Sequence, residues 1–301
     1  MIKELDGLDL SYIFITKITI ALKRRKNKRR ENMQKDVHFY LTYALARNVG
    51  ISDNDAEVIA WADQYTDDLT EADLHGIQTQ SAIVGNWADR QVQMSVLVPF
   101  HFIPGNDETH PWMTTRNNPK ARKLVRLAVR NNLFQFGIAL HGLQDTFSHE
   151  KFSGWCEDLN SCFPWYYVES ALPNVGHAEM RVVPDVINYV WTDPRDGQRI
   201  DNKLRTMSAT KATYDFLVKF FNPGIDPGLW QNLQKDLKRI FSLDSYDSRI
   251  DEICILSGND QVDYKDVNGR LDSDHKRDFI LAARDHLAAA MRLCSDLPCM
   301  V

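Results

Sequence analysis

The stretch "LFQFGIALHGLQDTFSHEKF", Leu133 to Phe152, constrains this chain more than any other. It is apolar on most sides, the composition of a helix with neighbours all around it. Yet His141, Asp145 and His149 fall within it at i, i+4 and i+8. At 100° per residue the three share about 80° of arc over roughly 12 Å of helix. Phe134 and Ile138 continue that face toward the helix start, so the stripe points inward. Burying an unpaired carboxylate and two imidazoles costs several kcal/mol. A divalent cation removes the penalty, and deprotonated Asp with neutral His is a ligand set that zinc accepts at about 2.0–2.2 Å. One buried histidine is more often hydrogen-bonded than metal-bound; three such groups in register favour the metal.

A helix of this kind needs other helices to bury it. The spacing of apolar residues predicts one over Asp36–Gly50, and a second over 52–68 with Ser52 or Asp53 as its N-cap. The central helix is expected to run unbroken from about Lys120 to Phe152. Further helices are expected at about 203–221, capped by Asp201 or Asn202, at 227–243 and at 273–294, with a short one in "SRIDEICIL". "VQMSVLV" alternates Val92, Met94, Val96 and Val98 against Gln93, Ser95 and Leu97, which predicts a short strand. "SAIVGNWADRQV" before it is the expected hairpin partner. Residues 100–119, 156–176 and 181–202 read as loops. The expectation is one all-α domain over residues 33–301 with a small β-hairpin insertion, and 301 residues are ample for its core.

The first 32 residues differ from the rest. "LDLSYIFITKITIAL" is apolar but shorter than the roughly 20 residues a membrane span needs. "KRRKNKRR" follows it, the reverse of the order in a secretory signal. Residues 1–32 therefore read as a basic leader, disordered or ahead of a true start at Met33. The body beyond it carries 27 basic and 37 acidic side chains, a formal charge of −10. That balance argues against a stable nucleic-acid complex and suits a protein that gathers carboxylates around cations. No membrane span is expected. The location expected is cytoplasmic, or exported without a recognisable signal peptide. The five cysteines are irregularly spaced and form no CxxC, so free thiols are expected. There is no GxSxG, no phosphate-binding Gly-rich loop and no adjacent His-Asp pair.

Other metal-capable groups stand outside the central helix. Asp36 and His38 open the first helix. Asp63, Asp67 and Asp68 end the second. His101 follows the expected strand, and His177, Glu179 and Asp185 lie in a later loop. His75 and His110 sit in polar loops, and His275 and His286 read as solvated on a charged helix face.

Together, "DVHFYLTYALAR", "QYTDD", "FHFIPG", "HGLQDTFSHEKFSGW" and "GHAEM" resemble the zinc-dependent phospholipase C superfamily, which also holds zinc-dependent single-strand nucleases. The resemblance covers about residues 33–202 in matching order and is nearest to a bacterial branch with few assigned activities. It implies an all-α domain holding two or three zinc ions. One zinc would take Asp67 or Asp68 with His101, His141 and Asp145. Asp145 would bridge to a second, held by His38. The third would take His149, His177 and a carboxylate. Asp67 or Asp68 would also orient the attacking water. Two departures stand out. Relatives with a processed N-terminus use the terminal amine on the second zinc, whereas His38 is internal; Asp36 is expected to supply the missing oxygen. The last carboxylate should lie four residues after His177, where this chain has Arg181; Asp185 is the expected substitute, with Glu179 second. The implied activity is hydrolysis of a phosphoric ester, first a phospholipid head group and second single-stranded nucleic acid or a nucleotide. A helical scaffold with structural metals is the rival. Aromatic residues at 152–167 are expected to pack in the core or to floor a substrate pocket. The oligomeric state is left open.

Overall fold

The computed structural model describes residues 35–69, 77–80, 89–105, 107–128, 132–164, 167, 172–271 and 273–298. All of them belong to one compact unit, Gln34–Val301. The basic leader, His75 and most of the expected hairpin partner lie outside the described residues.

The first described turn is π-helical, Asp36–Leu41, and runs directly into α1, Thr42–Asn48. Gly50, at φ +88°, ends it. Ser52 caps α2, Asp53–Asp68, by accepting from the Asp55 N–H. The single long helix expected from Lys120 is two: α3, Pro119–Ala128, and α4, Leu133–Ser148. Asn132 separates them. Its extended backbone lets the side chain accept from Gln135 N at 2.6 Å, an N-cap that a continuous helix would forbid.

The strand expected at Val92–Val98 is helical instead. A single turn, Arg90–Val92, opens into a π-helical segment, Gln93–His101. Every residue from Val96 to His101 is buried. From Val96 onward the side chains meet protein in all directions and carry no facial period, so alternation of apolar letters there marks no strand face. The hairpin lies later, in the segment that reads as loop: β1, Val190–Thr192, pairs antiparallel with β2, Arg199–Asp201, with Trp191 opposite Ile200.

Asp201 then caps α5, Asn202–Phe221, accepting from Lys203 N at 2.9 Å. Next come α6, Gly228–Ile240; α7, Tyr246–Ser257; α8, Tyr264–Arg270; and α9, Ser273–Leu293. The short α8, capped by Asp263, has no counterpart in the sequence reading. Among the described residues the fold is all-α with one small hairpin, as the apolar periodicity predicts for the helices.

Helix α4 is buried from Gln135 to Phe147, with α2, α3, α5 and α9 packed around it. Gly137 sets the closest approach. A Cβ there would meet the Ile59 carbonyl oxygen at 2.4 Å and Ala62 Cβ at 2.7 Å. The missing side chain thus brings the acidic end of α2 against the His/Asp stripe of α4. Among the described residues, no helix is long and apolar enough to cross a membrane.

Candidate metal centre

Two helices present matched pairs one turn apart: Asp63 and Asp67 on α2, His141 and Asp145 on α4. Of the four, only Asp67 is not buried; its side chain is 21% exposed. The π-helical segments bring the next two ligand candidates. His38 sits in the first and His101 is the last residue of the second. Such wide turns recur at functional sites. His149 follows α4 as its C-cap residue, and His177 precedes a 3-10 turn, Ala178–Met180.

The side chains converge in three groups. His38, His141 and Asp145 form the first; Asp67, His101 and His141 the second; His149, His177 and Asp185 the third. Asp145 Oδ1 lies 3.5 Å from His38 Nε2, while its Oδ2 lies 3.2 Å from His141 Nε2 and 3.0 Å from His101 Nδ1. Asp67 Oδ1 is 3.7 Å from both His101 Nδ1 and His141 Nε2. In the third group the Asp185 oxygens are 3.3 Å from His149 Nε2 and 3.4 Å from His177 Nε2.

The opposite nitrogens show which ring positions carry hydrogen. His101 Nε2–H donates to the Thr79 carbonyl at 2.6 Å, His149 Nδ1–H to the His101 carbonyl at 2.8 Å, and His177 Nδ1–H to the Arg181 carbonyl at 2.7 Å. His38 Nδ1–H donates to Gln144 Oε1 at 2.7 Å. Carbonyl oxygens only accept, so in each neutral imidazole the nitrogen facing the cluster is bare. Four bare nitrogens thus face carboxylate oxygens, lone pair against lone pair. His38 Nε2 and both oxygens of Asp185 are buried without a hydrogen-bond partner.

Only a proton or a cation between these atoms relieves that arrangement. Two ligands about 2.0–2.1 Å from one tetrahedral zinc sit about 3.3 Å apart, and the separations here run from 3.0 to 3.7 Å. The residues present fit a metal. Electrostatics point the same way. Burial disfavours a charged His38, but Asp63 and Asp145 outweigh it and hold the imidazole well above its usual range. Burial likewise opposes protonation of His141, which Asp145 and Asp67 raise to about 9. Burial would raise Asp145, yet the surrounding histidines, His149 and His141 foremost, hold it well below the usual carboxylate range. Burial pushes His177 down. The cluster favours positive charge at its centre.

Of the residues singled out from sequence, His38, Asp67, His101, His141, Asp145, His149, His177 and Asp185 come together. Asp36 and Asp68 do not. The buried Asp36 carboxylate is engaged by Arg249, Nε to Oδ2 at 3.1 Å, so it supplies no oxygen to the His38 group. Asp68 projects about 100° around α2 from Asp67 and lies 3.6 Å from Lys35. Glu179 is turned away as well, accepting from the backbone N–H groups of Cys162 and Phe163. Arg181, at φ +54°, contributes its carbonyl to His177 where the resemblance would place a carboxylate. His286, expected on the surface, is buried and donates Nε2–H to the Pro99 carbonyl at 2.9 Å. Phe152 and Trp155 are buried in core clusters and do not floor an open pocket.

Three residues support the cluster, and two of them, Gln144 and Arg205, escaped the sequence reading. Asp63 lies fully buried behind His38 and His141. Gln144 ties His38 to Thr42, Asp63 and Thr213. Arg205 donates to the Phe147 and Ser148 carbonyls, both at 2.5 Å, and so anchors the chain just before His149. Asp63, singled out from sequence as metal-capable, shares with Asp67 the i, i+4 spacing of His141 and Asp145, which sets both on one face of α2.

A model for a family of unknown function, DUF6765, matches residues 33–291. No curated protein and no solved structure matches the chain.

Proposed function

We propose that this chain, which belongs to the DUF6765 family, is a zinc-dependent phosphoric ester hydrolase. The observation that carries the reading is the set of tethered imidazoles whose bare nitrogens meet shared carboxylates at ligand-to-ligand distances. Asp67, His101, His141 and Asp145 would hold one ion. His38 and the other oxygen of Asp145 would hold a second, and His149, His177 and Asp185 a third. Zinc bound there supplies Lewis acidity, which brings the pKa of water toward about 7 and draws charge from phosphoryl oxygens.

The chain's own residues do the rest. The carbonyls of Thr79, His101 and Arg181 keep three imidazoles in the ligating tautomer. Asp145 spans two groups with its two oxygens. Asp67 and His177 are the cluster side chains that solvent reaches most. Asp67 can accept a proton from, and orient, an attacking water. A phospholipid head-group ester is the first substrate; the formal charge of −10 beyond the leader makes a polyanionic single strand the second.

The test is hydrolysis of bis(p-nitrophenyl) phosphate, a short-chain phosphatidylcholine and single-stranded DNA by the purified chain. Turnover of a diester that stops with chelator and returns with zinc is expected. Zinc bound tightly with no turnover of diester, monoester or lipid would replace the reading with a scaffold whose metals are structural.

A further inference from the structure

One buried carboxylate lies on the far side of the imidazoles from the converging atoms. Asp63 is fully buried on α2, one turn before Asp67. Its Oδ2 is held in place, accepting from Thr42 Oγ1 at 2.8 Å and from Gln144 Nε2 at 3.0 Å. That leaves Oδ1 between two rings, 2.9 Å from His38 Nδ1 and 3.4 Å from His141 Nδ1. Oδ1 and His141 Nδ1 are both buried, and neither has a hydrogen-bond partner.

We infer that Asp63 is a positioning residue: it holds His38 and His141 in the tautomer and orientation that the first two metal positions need, and leaves the third position independent. This rests on the zinc reading above. A carboxylate only accepts, so a nitrogen facing it is stable there only when it carries hydrogen. Hydrogen on Nδ1 leaves Nε2 bare, and the Nε2 atoms of both rings point at Asp145, at 3.5 and 3.2 Å. One anion therefore sets two donors that arrive from different elements. Gln144 acts in the same unit. Its Nε2 is occupied by Asp63, Thr42 and Thr213, which turns its oxygen toward His38 Nδ1. An amide in place of the Asp63 carboxylate could present N–H to His141 Nδ1 instead. That favours the opposite tautomer, with hydrogen on the nitrogen that faces the metal. The third group takes no part: His149 and His177 are oriented by backbone carbonyls.

The experiment compares wild type, Asp63→Asn and Asp185→Asn. Zinc per chain is measured by mass spectrometry under native conditions during titration with a competing chelator, and circular dichroism reports the fold. Asp63→Asn should keep the zinc at His149, His177 and Asp185, and hold the others about 10–100-fold more weakly. Asp185→Asn should show the reverse pattern. If Asp63→Asn does not fold, Thr42→Val decides, because it keeps the carboxylate and removes one of its anchors; it should weaken the same two positions and spare the third. Asp63→Asn that holds every zinc as tightly as wild type overturns the inference, as does a variant that weakens all positions equally. Wild type that takes up no zinc overturns the zinc reading, and the inference with it.

Discussion

Gly137→Ala tests whether the close approach of α2 to α4 builds the site. The new methyl would lie 2.4 Å from the Ile59 carbonyl oxygen, 2.7 Å from Ala62 Cβ and 3.0 Å from Asp63 N. Two of these neighbours are backbone atoms and cannot rotate away. Restoring ordinary contact requires the helices to part by about 1 Å, given optimal carbon contacts near 3.5–4.0 Å. Overpacking of this kind costs about 1–3 kcal/mol, and alanine regains about 1 kcal/mol of helix propensity. The net expectation is a loss of up to about 2 kcal/mol, a fall of up to a few degrees in Tm for a chain of this size. Asp63 and Asp67 ride on the displaced helix, so zinc affinity falls with stability, and a misplacement near 1 Å lowers turnover on the order of 100-fold. Gly269→Ala is the control. Its Cβ would meet nothing within 4 Å, and it should gain up to about 1 kcal/mol. Thermal unfolding with metal analysis of both variants is the assay. Gly137→Ala that melts no lower than wild type and keeps its zinc would refute the packing argument.

Asp67→Asn should lose zinc and turnover while Asp68→Asn keeps both, measured by metal content and diester hydrolysis, because only Asp67 faces His101 and His141. Asp36→Ala strands the buried Arg249 guanidinium; denaturant unfolding should show a loss of about 3–5 kcal/mol with zinc per folded chain unchanged. His286 gives a pH signature. Burial, reinforced by His141 and His101 and opposed by the bond to Pro99, lowers it to about 4, against about 6.5 for an unfolded histidine. As pH falls the unfolded chain takes the proton first. The stabilisation is therefore complete above about 6.5 and is lost progressively toward pH 4, about 3 kcal/mol in all. Urea unfolding of wild type and His286→Gln between pH 7 and 4.5 should show the steeper decline in wild type.

The stripe on α4 was legible because its three residues are local: 3.6-residue periodicity alone puts His141, Asp145 and His149 on one face. The helices flanking it were legible for the same reason, and so were caps such as Ser52 and Asp201. Periodicity gave no access to long-range convergence. Nothing in the spacing of His38, His101 and His177 says that they meet; only the resemblance suggested it. The Val92–Val98 strand failed because the segment runs into a helical stretch buried without a break from Val96 to His101, where alternation reports no face. The break at Asn132 turned on one side-chain hydrogen bond inside an otherwise helical pattern. Asp36 was misjudged because its partner, Arg249, lies 213 residues away in sequence. The charged helix around His286 reads as surface, whereas its own face packs against Phe100.

The most direct test is the zinc content of the native, unvariegated chain, measured by inductively coupled plasma mass spectrometry after exhaustive dialysis. Two or three zinc ions per chain are predicted, removed by chelator and regained on return of zinc alone. A folded chain that holds no zinc after purification, and takes up none when it is supplied, would contradict the account at its centre.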